Sequence, residues 1–205
     1  MWITLCITVY KEWNEVEEMQ NLQERIKTEV LQSDYAEKKI VFGEGKQQAK
    51  ICMIGEAPGG DEEKQGRPFV GKAGKNLSSF LETIGLKRED IYITNVVKFR
   101  PTNISPKTGN FVNRPPKHSE IDFFLPYLMK ELEIIKPDII VTLGNVPLKA
   151  VTGDDSATIG DMHGVMTTTK DGYRLFPLYH PAAIIYNRGL SETYQNDLQV
   201  LKNYV

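Results

Sequence analysis

The residues able to do chemistry in this chain of 205 amino acids stand directly after short apolar runs. Glu56 follows the run 49–54 and Gly55, Asn95 lies within the run 91–97, and His180 follows the run 174–179. If those runs are strands of one parallel sheet, all three polar groups arrive at its carboxyl rim, where such sheets bind ligands. A lone histidine at a strand end is ordinarily structural. One that shares its rim with an acid and an amide is a candidate for handling a ligand's charge.

Between the first and second runs lies a glycine-rich loop, Gly55-Glu56-Ala57-Pro58-Gly59-Gly60-Asp61-Glu62, continuing through Gly66-Arg67-Pro68-Phe69-Val70-Gly71-Lys72-Ala73-Gly74. It is not a P-loop, because no Gly-Lys-Ser/Thr follows the strand, and it is not G-x-G-x-x-G. Its glycines let backbone N–H groups approach a ligand closely. Phe69, set among them, either stacks on a planar base or pins the loop to the core.

The net charge is −2, from 25 basic and 27 acidic residues, which taken whole is not the balance of a nucleic-acid binder. Its distribution is uneven. Residues 1–37 carry three basic and eight acidic residues, whereas 98–118 holds Lys98, Arg100, Lys107, Arg114 and Lys117 and no acid. That segment is either a phosphate contact or a solvated loop. Two cysteines, Cys6 and Cys52, exclude a disulfide scaffold and an all-cysteine metal cluster. No apolar run is long enough for a membrane span. The start of the chain, 1–10, is apolar without a basic n-region, which predicts an edge strand or ordered arm, a cytoplasmic protein and reduced thiols.

The elements that must position these residues alternate. An amphipathic helix is predicted over 12–31, with Val16, Met19, Leu22, Ile26 and Val30 at helical spacing. A short extended piece follows over 39–42. Strands are predicted over 49–54, 91–97, 138–143 and 174–179. Helices are predicted over 73–84, 119–135 with a kink at Pro126, 145–151 capped by Asn145, and 192–203. The segment 56–72 has too many breakers for a regular element. Residues 98–117 read as a long loop, and 152–172 as loop with a possible hairpin. The pattern predicts an α/β/α sandwich around a four-stranded parallel sheet, in one domain with residues 1–37 as N-terminal arm and helix.

Four motifs resemble one family. Gly55-Glu56-Ala57-Pro58-Gly59 with Gly66-Arg67-Pro68-Phe69-Val70-Gly71-Lys72-Ala73-Gly74, then Asn95-Val96-Val97-Lys98, then Lys136-Pro137-Asp138 through Gly144, then His180-Pro181-Ala182-Ala183 agree in order and spacing with the uracil-DNA glycosylase superfamily. The resemblance is closest to its family 4, which usually carries an iron–sulfur cluster. It implies that Phe69 stacks on an extruded uracil and Asn95 reads its edge. His180 would donate to the oxygen that gains charge as the glycosidic bond breaks. Glu56 and Glu62 fall near the sugar, and the backbone from Ala57 through Gly59 and Gly60 floors the pocket. The segment after His180 aligns with the family's minor-groove loop, so Ile184 or Ile185 is either the wedge that replaces the flipped base or core, with Arg188 beside the DNA. Lys98, Arg100 and Lys107 are the expected phosphate contacts.

One departure is large. The family's four cluster cysteines fall at Thr28, Leu31, Phe99 and Phe124, none of which offers the thiolate a cubane needs. No cofactor is therefore expected, and Phe99 and Phe124 are expected to fill the space. The loop 101–117 is also longer than the family's. The expected activity is hydrolysis of uracil from DNA by a monomer that touches no membrane. The alternatives are excision of hypoxanthine or xanthine, or DNA binding without catalysis.

Overall fold

The computed structural model describes the backbone of residues 2–205 and the side chains from residue 15 onward. The chain opens with helix α1 (Trp2–Leu31), then forms strands β1 (Glu44–Gly45) and β2 (Ile51–Gly55), helices α2 (Gly60–Gln65) and α3 (Lys72–Thr83), and a 3-10 turn at Arg88–Asp90 before strand β3 (Tyr92–Asn95). Strands β4 (Thr102–Ile104) and β5 (Phe111–Asn113) precede helix α4 (His118–Ile135), strand β6 (Ile139–Leu143) and helices α5 (Asn145–Thr152) and α6 (Ile159–Met162). Strands β7 (Thr167–Thr168) and β8 (Arg174–Leu178) and helices α7 (Pro181–Tyr186) and α8 (Leu190–Lys202) complete it.

The sheet has six strands in the order β1-β3-β2-β6-β8-β7. Its middle four, β3, β2, β6 and β8, are parallel, as the apolar runs predict. The two-residue strands β1 and β7 are added antiparallel at the edges, so the expected four-stranded sheet is the centre of a mixed one. Both additions are too short to show a periodicity of their own. The reading of 152–172 as loop with a hairpin fits β7, which pairs back on β8.

The central strands are unbroken apolar runs because both faces are covered. In β2, Cys52 and Ile54 join α1 residues Met19, Leu22, Ile26 and Val30 and α4 residues Phe124, Leu128 and Leu132 in one core. Ile51 and Met53 face the other way, onto Leu77 and Leu81 of α3 and Tyr194, Leu198 and Leu201 of α8. This is the period-two alternation of a strand. Each fully buried Leu or Ile contributes roughly 1.5–3 kcal/mol. Val16 alone of the five spaced α1 residues stays exposed.

Four expectations need correction. Residues 2–10 are not a strand or arm but the first turns of α1. Their β-branched residues favour strand weakly, and an adjoining helix extends at little cost once nucleated. The breaker-rich segment 56–72 contains α2, whose Gly59 and Gly66 stand at its ends and not within it. The segment 98–117 is not all loop, since β4 and β5 pair antiparallel within it. Asn145 does not cap α5. Gly144, at φ +97°, holds that position, and the Asn145 side chain accepts from the Ile159 N–H at 2.7 Å. Helix α4 runs from His118 to Ile135 with Pro126 inside it.

Candidate active site

The carboxyl ends of the parallel strands open on a cleft of about 420 Å³. Its lining includes Ala57, Gly59, Gly60, Glu62, Phe69, Asn95, His180 and Ile185, all singled out in the sequence. It also includes Asp61, Lys72, Asn113 and Tyr186, which sequence reasoning missed. Lys72 was legible only as part of the Gly71-Lys72-Ala73-Gly74 motif. Asn113 carried no signal, because it reaches the cleft only through the β4–β5 pairing.

Asn95 is the last residue of β3 and is 3 % exposed. Its side chain nevertheless lines the cleft. An amide held at a cleft wall can pair with the polar edge of a ligand. Gly55 lets it approach: a Cβ there would lie 2.6 Å from the Phe69 ring and closer still to Asn95 Oδ1.

Below Asn95 lies Lys98. It is fully buried, and its ammonium donates to the Asn95 backbone carbonyl at 2.8 Å, to Thr94 Oγ1 at 2.7 Å and to Glu131 Oε2 at 2.5 Å. The expectation that Lys98 grips phosphate is therefore wrong. A cation with no solvent exposure and three internal acceptors has no donor left for DNA. Its place is to hold the strand end that carries Asn95.

Phe69 pins the loop to the core and also borders the cleft. It is 6 % exposed and packs with Ile51, Met53 and Leu77, yet it lines the cleft. Its ring centroid is 5.9 Å from that of His180, with an interplanar angle of 32°. The residue sits at φ +51°, left-handed for a bulky side chain, which costs of order 1–3 kcal/mol. Arg88 restrains it by donating to the Phe69 carbonyl at 2.8 Å and to the Pro68 carbonyl. Gly74 makes room, since any Cβ there would collide with the Phe69 carbonyl.

The glycine loop is tied by Glu62. Oε1 accepts from the N–H groups of Val70 and Gly71 at 3.0 and 2.8 Å, and Oε2 accepts from Gly59 at 3.1 Å. Expected as a group acting near the sugar, Glu62 is instead a positioning residue, with both oxygens occupied by backbone. Glu56 follows β2, half-buried, outside the lining of the cleft. Burial raises its carboxyl pKa above the usual range, and no side-chain partner among the described residues offsets this.

His180 is the N-cap of α7, and its Nδ1 accepts from the Ala182 N–H at 3.1 Å. An accepting Nδ1 places the ring proton on Nε2. Burial lowers the imidazole pKa, opposed by the negative charge of Glu62. The ring is thus neutral at pH 7, with an Nε2–H to donate.

Around the cleft the remaining expectations divide. Arg100 is committed internally, to Asn113 Oδ1 at 2.7 Å and Glu63 Oε2 at 3.1 Å, so it holds the β4–β5 hairpin and is not a free phosphate contact. Lys107, on the turn between those strands, is exposed. Ile184 packs against the core, whereas Ile185 is 42 % exposed and Tyr186 89 %. Arg188 is exposed. At the cluster positions, Phe99 and Phe124 are fully buried edge-to-face with centroids 5.7 Å apart, and Tyr35 lies 5.1 Å from Phe99. Leu31 is 70 % exposed and Thr28 bonds its hydroxyl to the Glu24 carbonyl. Two phenylalanine rings, a leucine and a hydroxyl do not fit an iron–sulfur cluster.

Comparison with known proteins agrees with this geometry. The sequence profile of the Uracil DNA glycosylase superfamily matches residues 42–202. The chain is 41 % identical over 169 residues to a type-4 uracil-DNA glycosylase of Sulfurisphaera tokodaii, covering 79 % of this chain and 73 % of that protein. It is 40 % identical over 165 residues to the type-4 enzyme of Archaeoglobus fulgidus, 78 % of each chain, and 36 % identical over 168 residues to that of Thermotoga maritima, 81 % and 83 %. With Phe69, Asn95 and His180 on one cleft, and with a match over most of its length, the chain belongs to the uracil-DNA glycosylase superfamily.

Proposed function

We propose that this protein is a uracil-DNA glycosylase that hydrolyses the N-glycosidic bond of deoxyuridine in DNA and leaves an abasic site. The observation that carries the reading is the side chain of Asn95, a residue only 3 % exposed, lining the same cleft as Phe69 and His180. A flat ring between Phe69 and the loop, with its polar edge on Asn95, pairs with its amide.

A base inside a duplex is out of reach, so the nucleotide must be flipped at a cost of a few kcal/mol. The C1′–N1 bond then breaks with its electron pair leaving on uracil, and the sugar becomes oxocarbenium-like. His180 donates from Nε2 to the uracil oxygen on which negative charge grows, and a neutral imidazole does this without transferring its proton. Glu56, next in sequence to the cleft-lining Ala57, offsets the positive sugar once ionised and brought toward the cleft by the bound nucleotide. Water adds to C1′ and releases a proton, so no covalent enzyme intermediate is required. Glu62 keeps the loop backbone in place through its three N–H contacts.

The reaction calls on no iron–sulfur cluster. The aromatic packing of Tyr35, Phe99 and Phe124 supports a core that stands without one. Among the described residues no helix is long and apolar enough to cross a membrane. The protein acts as a cytoplasmic monomer in this reading.

A panel of single-lesion oligonucleotides tests it. Alkali-induced strand cleavage at the resulting abasic site should appear with uracil and not with undamaged DNA. Excision of hypoxanthine or xanthine in place of uracil would reassign the substrate, and no excision of any base would leave only DNA binding.

A further inference from the structure

The hairpin formed by β4 and β5 is held upright with unusual care. Two-stranded ribbons this short are marginal by themselves. Here Arg100 braces β5 through Asn113 and α2 through Glu63. Arg114 ties the other side, donating to the Thr102 carbonyl at 3.3 Å and to the Glu120 carboxylate at 2.7 and 2.5 Å. What these two arginines hold out is apolar: Ile104 and Phe111 are cross-strand partners, 66 % and 67 % exposed. Nothing among the described residues covers them.

Their direction follows from the pleat. Side chains two apart on a strand share a face, about 6.8 Å apart. Phe111 therefore shares a face with Asn113, and Asn113 lines the cleft. The exposed phenylalanine continues the wall of the cleft outward. The segment from 98 to 118 carries no acid, and Lys107 projects from the turn between the strands. An exposed aromatic ring with the exposed Lys107 on the adjoining turn, beside a cleft sized for one base, suits the next stretch of the same nucleic-acid strand.

We propose that the β4–β5 hairpin is a second DNA-binding element, on which Phe111, backed by Ile104, stacks on a base flanking the extruded nucleotide while Lys107 meets the phosphate backbone. This rests on the glycosylase reading for its substrate but not for its measurement. Stacking a base on an aromatic side chain tolerates any sequence, so the element adds affinity without adding base preference. It stands apart from Ile185 and Tyr186, which border the cleft from α7.

The test uses the full chain and a single-stranded oligonucleotide holding one uracil, with 2-aminopurine placed in turn at each neighbouring position. Binding is read by anisotropy on a timescale before turnover, and again with an abasic-site analogue. Phe111→Ala should weaken binding about tenfold, within the range of a lost base–aromatic stack, and should abolish the emission change at one flanking position. Phe111→Trp should restore both, whereas Phe111→Ser should not, and all three variants should melt like the parent. Parent-like affinity and emission for Phe111→Ala would overturn the proposal. So would equal loss in Phe111→Ala and Phe111→Trp with a lowered melting temperature, because the ring would then be scaffold only. A parent that binds and shows the flanking signal but releases no uracil would refute the glycosylase reading and leave the hairpin contact standing.

Discussion

Lys98 and Glu131 form an ion pair at 2.5 Å with both side chains fully buried, and the same ammonium caps the backbone carbonyl of Asn95. The second oxygen of Glu131 has no partner among the described residues. Such a pair is a poor bargain for stability alone, because an apolar pair of similar volume is often as good. Its position beneath the cleft-lining Asn95 gives it a purpose: it fixes the end of β3.

Breaking the pair should therefore cost both stability and activity. Lys98→Met or Glu131→Gln should destabilise by about 3–5 kcal/mol, because a buried charge loses its partner. The double variant Lys98→Met/Glu131→Leu should recover much of that loss in urea unfolding while uracil excision stays low. Recovery of activity together with stability would show that the pair does not position Asn95.

His180 should behave as a neutral donor. Its folded pKa lies below the ordinary 6.5 because it is buried. Below pH 6.5 the unfolded chain takes up a proton that the folded chain refuses, so stability falls as pH falls through that window. The melting temperature of the parent should thus drop more steeply on acidification than that of His180→Asn. Excision by His180→Ala should fall about 10²–10³-fold, as for loss of one charge-stabilising donor. Identical pH dependence of melting in parent and His180→Asn would contradict the assignment.

The phosphate grip should divide between residues that the sequence grouped together. Lys107→Ala should reduce the salt slope of duplex binding by about 0.9 for a single lost contact, with melting unchanged. Arg100→Ala should instead lower stability and loosen the hairpin, since that guanidinium is bonded to Asn113 and Glu63. Parent-like salt dependence in Lys107→Ala would return the turn to plain solvent.

The purified protein should be colourless and free of stoichiometric iron. Phe99 and Phe124 occupy their core edge-to-face, and neither they nor Thr28 and Leu31 can ligate iron. A visible iron–sulfur band that persists after anaerobic purification would contradict this.

The central strands were legible because a strand covered on both faces has no polar alternation to confuse it. The rim that brings Asn95 and His180 to the cleft followed from the same runs, whereas Glu56, expected beside them, lies outside its lining. The fate of charged residues was not legible. Lys98 resembles a surface cation until Glu131, 33 residues later, is brought against it by α4. Glu62 looks like a catalytic acid until the loop's own N–H groups fill its oxygens. The hairpin is hidden because its strands are three residues long and held by arginine contacts that local pattern does not encode.

The amide of Asn95 bears the most weight, and one substitution addresses it. Uracil offers a carbonyl where cytosine offers an amine, and a site built on buried hydrogen bonds rejects the edge that leaves groups unpaired. Parent protein and Asn95→Asp should be compared on matched oligonucleotides carrying one uracil or one target cytosine, with melting followed in parallel. The expected result is uracil excision by the parent alone, and a folded Asn95→Asp that has lost uracil excision and gained some release of cytosine. Full uracil excision by an Asn95→Asp protein that melts like the parent would show that Asn95 does not read the base.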